Sequence, residues 1–360
     1  MKAFPLAWII PAVCFSLSSA AFLPGDGQSN NVVREAKRPA IRKLGTIDCD
    51  LVETTPVVFR GKLYRFEWVR AGYRKNTLHR DYFRLVEPDS GLPTEPFAEG
   101  YTFGSAYVES GTIYVTGTHK SREGDRIRMF RSRDMRRWDS SVVFDRPGYG
   151  IFNTSLCRAG RGYVLMFEID KPADEAGVAF TARFLRSQDL RRWELTPPAC
   201  NYARDRYTAP HCLRYLDGWF YDFYLEAHDG YETRVVRSRD LIRWDSSPLN
   251  PVLRASEDDR LILNPRLTEE ERQRIAAARN INNSDIDFCE FEGRLIINYS
   301  WGNQQGIEFL AEAVYDGTEA DFLRAWFPEA SPAPDGLSQS GEELQAAFSL
   351  KFLSALSLYR

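Results

Sequence analysis

"SRDMRRW" at Ser132–Trp138 returns as "SQDLRRW" at Ser187–Trp193 and as "SRDLIRW" at Ser238–Trp244, at intervals of 55 and 51 residues. A motif met three times is not one catalytic centre. Serine and aspartate side chains close turns on their own backbone, and a tryptophan fills the space between stacked units, so S-x-D-x-x-x-W reads as scaffold. Function has to lie where the repeats differ.

Ahead of each copy stands a second shared pattern, an apolar or aromatic strand, a glycine turn and an aromatic-rich strand: "SAYVESGTIYVTGT", "SLCRAGRGYVLMFE" and "HCLRYLDGWFYDFY". Two more copies, "TPVVFRGKLYRFEW" and "DFCEFEGRLIINYSW", lack the closing motif. The turn glycines are Gly61, Gly111, Gly162, Gly218 and Gly293, spaced 50, 51, 56 and 75 residues apart. Alternating residues around glycine turns mark hairpins, and a period near fifty with several strands per unit is the propeller signature. The sequence therefore predicts an all-β fold, a five-bladed β-propeller. The long last interval holds a helical insertion, because "LTEEERQRIAAARN" offers Thr268 as an N-cap with Glu271 three residues on.

The flanks carry different signals. Residues 1–20 combine Lys2, an apolar run and small residues at Ser18 and Ala20, the pattern of a secretory signal peptide, which implies a secreted or periplasmic protein. Residues 21–47 form an N-terminal extension, 48–327 the propeller and catalytic domain, and 328–360 a Pro/Ser/Gly-rich linker with a short C-terminal helix. Forty-seven basic residues against 50 acidic ones leave a net charge of −3 with no dense basic stripe, which argues against nucleic acid as a partner. No segment beyond the leader approaches the roughly 20 apolar residues of a membrane span. With Cys14 in the leader, the cysteines left after its cleavage, Cys49, Cys157, Cys200, Cys212 and Cys289, are odd in number and lack C-x-x-C spacing, so they make neither a zinc site nor a disulfide framework.

In a propeller the residues just before each first strand face one mouth of the central channel. Glu53 lies eight residues before Gly61 and Asp285 eight before Gly293, and the first and last blades become neighbours when the ring closes. Asp287 follows Asp285 by two, which on a strand places both on one face, where like charges raise a pKa. The matching positions elsewhere hold Gly104 and Ser105, Asn153, and His211. Trp301, Asn303 and Gln304 in "SWGNQQG" offer an aromatic face and amides suited to a sugar ring.

These hairpin units, the S-x-D-(L/M)-x-x-W closures and the acid ahead of the first strand resemble the five-bladed glycoside hydrolases of family 43, and also families 32 and 117, over roughly Asp48 to Phe327. The resemblance implies hydrolysis of glycosidic bonds in an oligosaccharide or polysaccharide by two carboxylates, with inversion, exo-action on a plant or algal substrate, and no organic cofactor, while leaving room for a structural divalent ion in the channel. It puts Glu53 as base where family 43 has aspartate. That family places further acids in blades two and three, where this chain has "FGSAY" and "FNTSL", so its usual triad does not transfer. Asp287 or His211, the latter by analogy with family 117, is then the proton donor, and Asp285 its tuner.

Each residue also has a plainer reading. Glu53 and Asp285 suit the capping of strand starts, Asp287 the neutralising of an arginine, His211 a satisfied polar position, and Trp301 an inter-blade filler beside turn amides. The missing acids of blades two and three favour the alternative of a non-catalytic carbohydrate-binding propeller. A sialidase-like enzyme is a third reading, disfavoured by the count of five units.

Overall fold

The computed structural model describes residues 37–228 and 230–328. The expected leader at 1–20, the start of the extension, and the linker and tail beyond Pro328 lie outside the described residues. β1 (Arg42–Cys49) comes first, and five antiparallel meanders follow. The first is β2 (Thr54–Phe59), β3 (Lys62–Val69) and β4 (Tyr82–Val86). The second is β5 (Thr102–Glu109), β6 (Thr112–His119), β7 (Arg126–Ser132) and β8 (Asp139–Asp145). The third is β9 (Gly150–Ala159), β10 (Gly162–Lys171), β11 (Thr181–Ser187) and β12 (Glu194–Leu195), with the one-turn α1 (Ala173–Ala176) between β10 and β11. The fourth is β13 (His211–Leu216), β14 (Trp219–His228), β15 (Gly230–Ser238) and β16 (Asp245–Ser246). Helix α2 (Glu269–Ala277) precedes the fifth, β17 (Asn282–Phe291), β18 (Arg294–Gly302) and β19 (Glu308–Tyr315), and α3 (Glu319–Ala325) ends the described chain.

Each first strand packs beside the next: β2 against β5, β5 against β9, β9 against β13, β13 against β17, and β17 against β2. Sequence-distant β1 completes the fifth meander by pairing antiparallel with β19. The reading that placed residues up to 47 in an extension is therefore corrected: the backbone of Arg42–Cys49 finds its hydrogen-bond partners in the last sheet. A single parallel pair, Tyr231 with Asn282, joins the fourth meander to the fifth.

Hairpin geometry follows from the turn residues. Arg60–Gly61 and Glu292–Gly293 both have positive φ at each position (53° and 76°; 50° and 77°), the paired left-handed conformation that suits a two-residue hairpin. In the third meander the turn is Gly160–Arg161, and Gly162 already belongs to β10.

Alternate residues of facing sheets make the core. Phe66, Phe83 and Leu85 of the first meander meet Ile113, Val115 and Phe130 of the second, and Met166 and Phe184 of the third meet Leu213, Phe220 and Tyr224 of the fourth. The three repeats behave as turns: Ser187 Oγ accepts from the amides of Asp189 (3.2 Å) and Leu190 (2.9 Å), and Asp189 Oδ1 from those of Arg191 (2.8 Å) and Arg192 (2.9 Å). The same bonds recur at Ser132/Asp134 and Ser238/Asp240. Their tryptophans are half-buried at the margins of the inter-sheet clusters, as with Trp138, stacked on Phe97 at 3.8 Å. Thr268 caps α2 by accepting from the Glu271 amide, and Glu271 Oε2 accepts from the Thr268 amide in return.

Candidate active site

The five residues placed eight before the second turn residue of each first hairpin are Glu53, Phe103, Asn153, Pro210 and Asp285, and all five line one cavity of about 200 Å³. Backbone strain helps to aim three of them. Glu53, Phe103 and Asp285 have φ of 53°, 51° and 52°, a left-handed conformation costly for residues with a Cβ. At Phe103 and Asp285 the ladder register also slips, between Thr102 and Ser105 and between Ser284 and Asp287. Such bulges re-aim side chains and break strict alternation. In the second and fourth units Phe103 and Pro210, rather than Gly104 and His211, are therefore the equivalents of Glu53.

Glu53 and Asp285 are thus brought together as expected. Arg70 Nη2 donates to Glu53 Oε2 at 2.9 Å, and Arg70 Nη1 lies 3.7 Å from Glu308 Oε2. Asp285 accepts from Ser284 Oγ at 2.5 Å. Burial, reinforced by the charges of Glu53 and Glu308, pushes its pKa up to about 7, while the serine bond and Arg70 pull the other way. Burial also raises Glu308, against Arg70. One acid was missed: Glu168, fully buried at the end of β10, lines the same cavity. Its only hydrogen-bond donors in the described structure are Asn153 Nδ2 and the His211 amide, each at 3.0 Å, and burial lifts it well above the ordinary carboxylate range despite them. Its signal in the sequence was an acid inside the apolar run "YVLMFE", a position a carboxyl seldom occupies without a partner. Phe152, Phe180 and Tyr207 add an aromatic wall, and Gln304 stands at the rim.

Several expected residues do other work. Asp287 borders the narrow continuation of the channel together with Asp285 and Ser105, but its Oδ1 accepts from Arg214 Nη2 and from the Phe288 amide (2.8 Å), so it is a neutralised partner and no free proton donor. His211 has a side chain with no exposure and both ring nitrogens engaged, by Asp222 Oδ2 at 2.8 Å and Thr208 Oγ1 at 3.0 Å, which removes it as an acid reaching substrate. Trp301 is wholly buried, stacked on Phe309 at 4.5 Å with its Nε1 donating to Thr46 Oγ1, so it presents no face to a sugar. Asn303 Oδ1 accepts from the Gln305 amide at 2.8 Å and organises its own turn. Ser105 is buried within 3.4 Å of Thr116 and Thr154 hydroxyls. Asn153 touches both the cavity and Glu168.

Among the described residues no group of three His, Cys, Asp or Glu is arranged to hold a metal ion. Asp287, one of the acids bordering the narrow cavity, is already paired with the Arg214 guanidinium. No helix among the described residues is long and apolar enough to cross a membrane.

No protein-family model matches the chain, and no curated protein matches it. Solved structures do. The α-L-arabinofuranosidase PaAbf62A from Podospora anserina, solved with cellotriose, superposes with a TM-score of 0.50 at 11% identity, over 81% of this chain and 94% of that one. A thermostable family-43 glycoside hydrolase gives 0.49 at 11% identity, over 82% and 98%. The GH43 BlXynB protein from Bacillus licheniformis gives 0.48 at 12% identity over 76% of this chain, which spans 54% of that protein's length. At these identities the likeness is one of fold, and the chain is a mostly β protein with the fold of the Podospora arabinofuranosidase.

Proposed function

We propose that the chain is a secreted glycoside hydrolase whose five meanders are the blades of a closed propeller, acting from the chain end of a plant or algal oligosaccharide. One observation carries the proposal: a single cavity holds Glu53 paired with Arg70 beside Asp285, whose carboxyl is pushed up to about 7. Two carboxyls in one site with environments that differ in this way assign themselves acid and base. Glu53 takes a proton from water as the water oxygen bonds to the anomeric carbon. Asp285 gives its proton to the glycosidic oxygen as that bond breaks, and the anomeric configuration inverts. Asp285 takes the donor role expected of Asp287 or His211. A cavity of about 200 Å³ suits one sugar ring, which supports exo-action. The leader read at residues 1–20 supports secretion.

The experiment is a turnover screen against furanosides, pyranosides and plant and marine oligosaccharides, followed by Glu53→Gln and Asp285→Asn on the substrate found. Each substitution is expected to lower kcat at least a hundredfold with folding intact, and the first product seen by NMR to be the inverted anomer. Losses below tenfold at both, or saccharide binding by calorimetry without any turnover, would leave the carbohydrate-binding reading in place.

A further inference from the structure

Thr208, His211 and Asp222 form a hydrogen-bonded row with no opening to substrate: the His211 and Asp222 side chains have no exposure, and Thr208 is equally buried. The rings of Tyr224, stacked at 5.9 Å, and Tyr202, edge-on at 6.1 Å, enclose the imidazole. Whichever ring nitrogen carries the proton, both are used. Asp222 Oδ1 makes no hydrogen bond, so the directional contact of that carboxyl is with His211 alone. Between Thr208 and His211 run Ala209 and Pro210, which line the cavity with Tyr207. The Thr208–His211 bond therefore staples the ends of a wall segment, and Asp222 ties the staple to β14. The main-chain amide of His211 is one of two donors to Glu168.

We propose that His211 is a positioning residue: its ring, pinned by Asp222 and Thr208, fixes the Tyr207–Pro210 wall and the amide that orients Glu168. The kinetic consequence rests on the glycosidase reading, but the structural one does not. A carboxyl with two neutral donors and no cation on it is set by where those donors stand. Moving the amide disturbs the carboxyl's orientation and weakens the hydrogen bond that favours its charged form.

The test follows the Glu168 carboxyl by ¹³C NMR in protein labelled at glutamate Cδ, its signal assigned by its absence in Glu168→Gln. His211→Phe keeps ring volume between the tyrosines and makes neither hydrogen bond. Thr208→Val removes one of the two at nearly constant shape. The Glu168 titration is expected to move to higher pH in His211→Phe, less so in Thr208→Val, and to return toward the parent in His211→Asn, whose amide offers Asp222 a donor. On a substrate, kcat/KM of the phenylalanine variant should fall about 10- to 100-fold with an altered pH profile. A Glu168 titration unchanged in whichever of the first two variants folds, by circular dichroism, overturns the proposal. If the parent hydrolyses nothing, the titration still decides, so the two readings fail separately.

Discussion

Asp285 shows how one residue couples folding to chemistry. Its folded pKa of about 7 stands above the ordinary 3.8, so folding binds its proton more tightly. The stability that this contributes is complete below the ordinary value and is lost as pH rises through about 7. Asp285→Asn does not titrate, so the variant should match the parent near pH 4 and exceed it at pH 8 by roughly 1–2 kcal/mol, the shift being discounted for partial exposure. Melting temperatures across that range check it, and an advantage constant with pH would count against the assignment. The parent's turnover should fall on the alkaline side as the donor ionises near 7, a limb absent from any residual activity of Asp285→Asn. Glu53 and Asp285 were legible because equal offsets from equivalent turns put equal positions at one mouth. Asp287 and His211 border one narrow cavity with Glu53 and Asp285, as their spacing suggests, but their plainer readings hold, because Arg214 engages Asp287 and Asp222 and Thr208 engage the His211 ring, contacts that no local pattern announces. Glu168 arrives from a second strand, and the acid inside "YVLMFE" marks it as a buried carboxyl without saying which site it joins.

At the scale of the element, the S-x-D-x-x-x-W turns are the part of the sequence that translated most directly. Backbone bonds from Arg136 and Arg137 hold the Asp134 carboxyl down at about 2, so the exposed turn stays acceptor-rich at any ordinary pH. Ser187→Ala strands two amides and should cost about 1 kcal/mol in denaturant unfolding. Trp138→Ala should cost about 2–3 kcal/mol, below the full-burial range because the ring is half-exposed and its main partner is Phe97. Normal stability with lost activity in either variant would move the motif from scaffold to site. The repeats and their glycines were visible in the sequence because turn chemistry is local. Trp301 stood open between a sugar platform and an inter-blade filler, and what decides for the filler, Phe309 and Thr46, 255 residues away, is not local.

For the whole molecule, the question is what holds the first described strand to the last sheet. β1 joins β19 through backbone pairs, and beside them Lys43 Nζ reaches Asp259 Oδ1 at 2.7 Å and Asn283 Oδ1 at 2.7 Å, linking it to the segment before α2 and to β17. Asp259 is wholly buried and also accepts from Tyr299 Oη at 2.7 Å. Burial pulls the Lys43 pKa down even with Asp259 opposing, so desolvation is large and the pair is retained by its partners. Breaking such a pair from one side leaves an uncompensated charge, at a cost of about 3–5 kcal/mol, whereas replacing both sides with apolar groups is far milder. Asp259→Leu should therefore destabilise strongly, and Lys43→Met should restore part of the loss when combined with it, with a coupling of at least ~1 kcal/mol in a urea double-mutant cycle. Because Asp259→Leu also frees the Tyr299 hydroxyl, only the coupling, and not the single-variant loss, reports the lysine contact. Additive losses would mean that the β1–β19 ladder holds the strand by itself, and that the buried pair contributes nothing to closing the sheet.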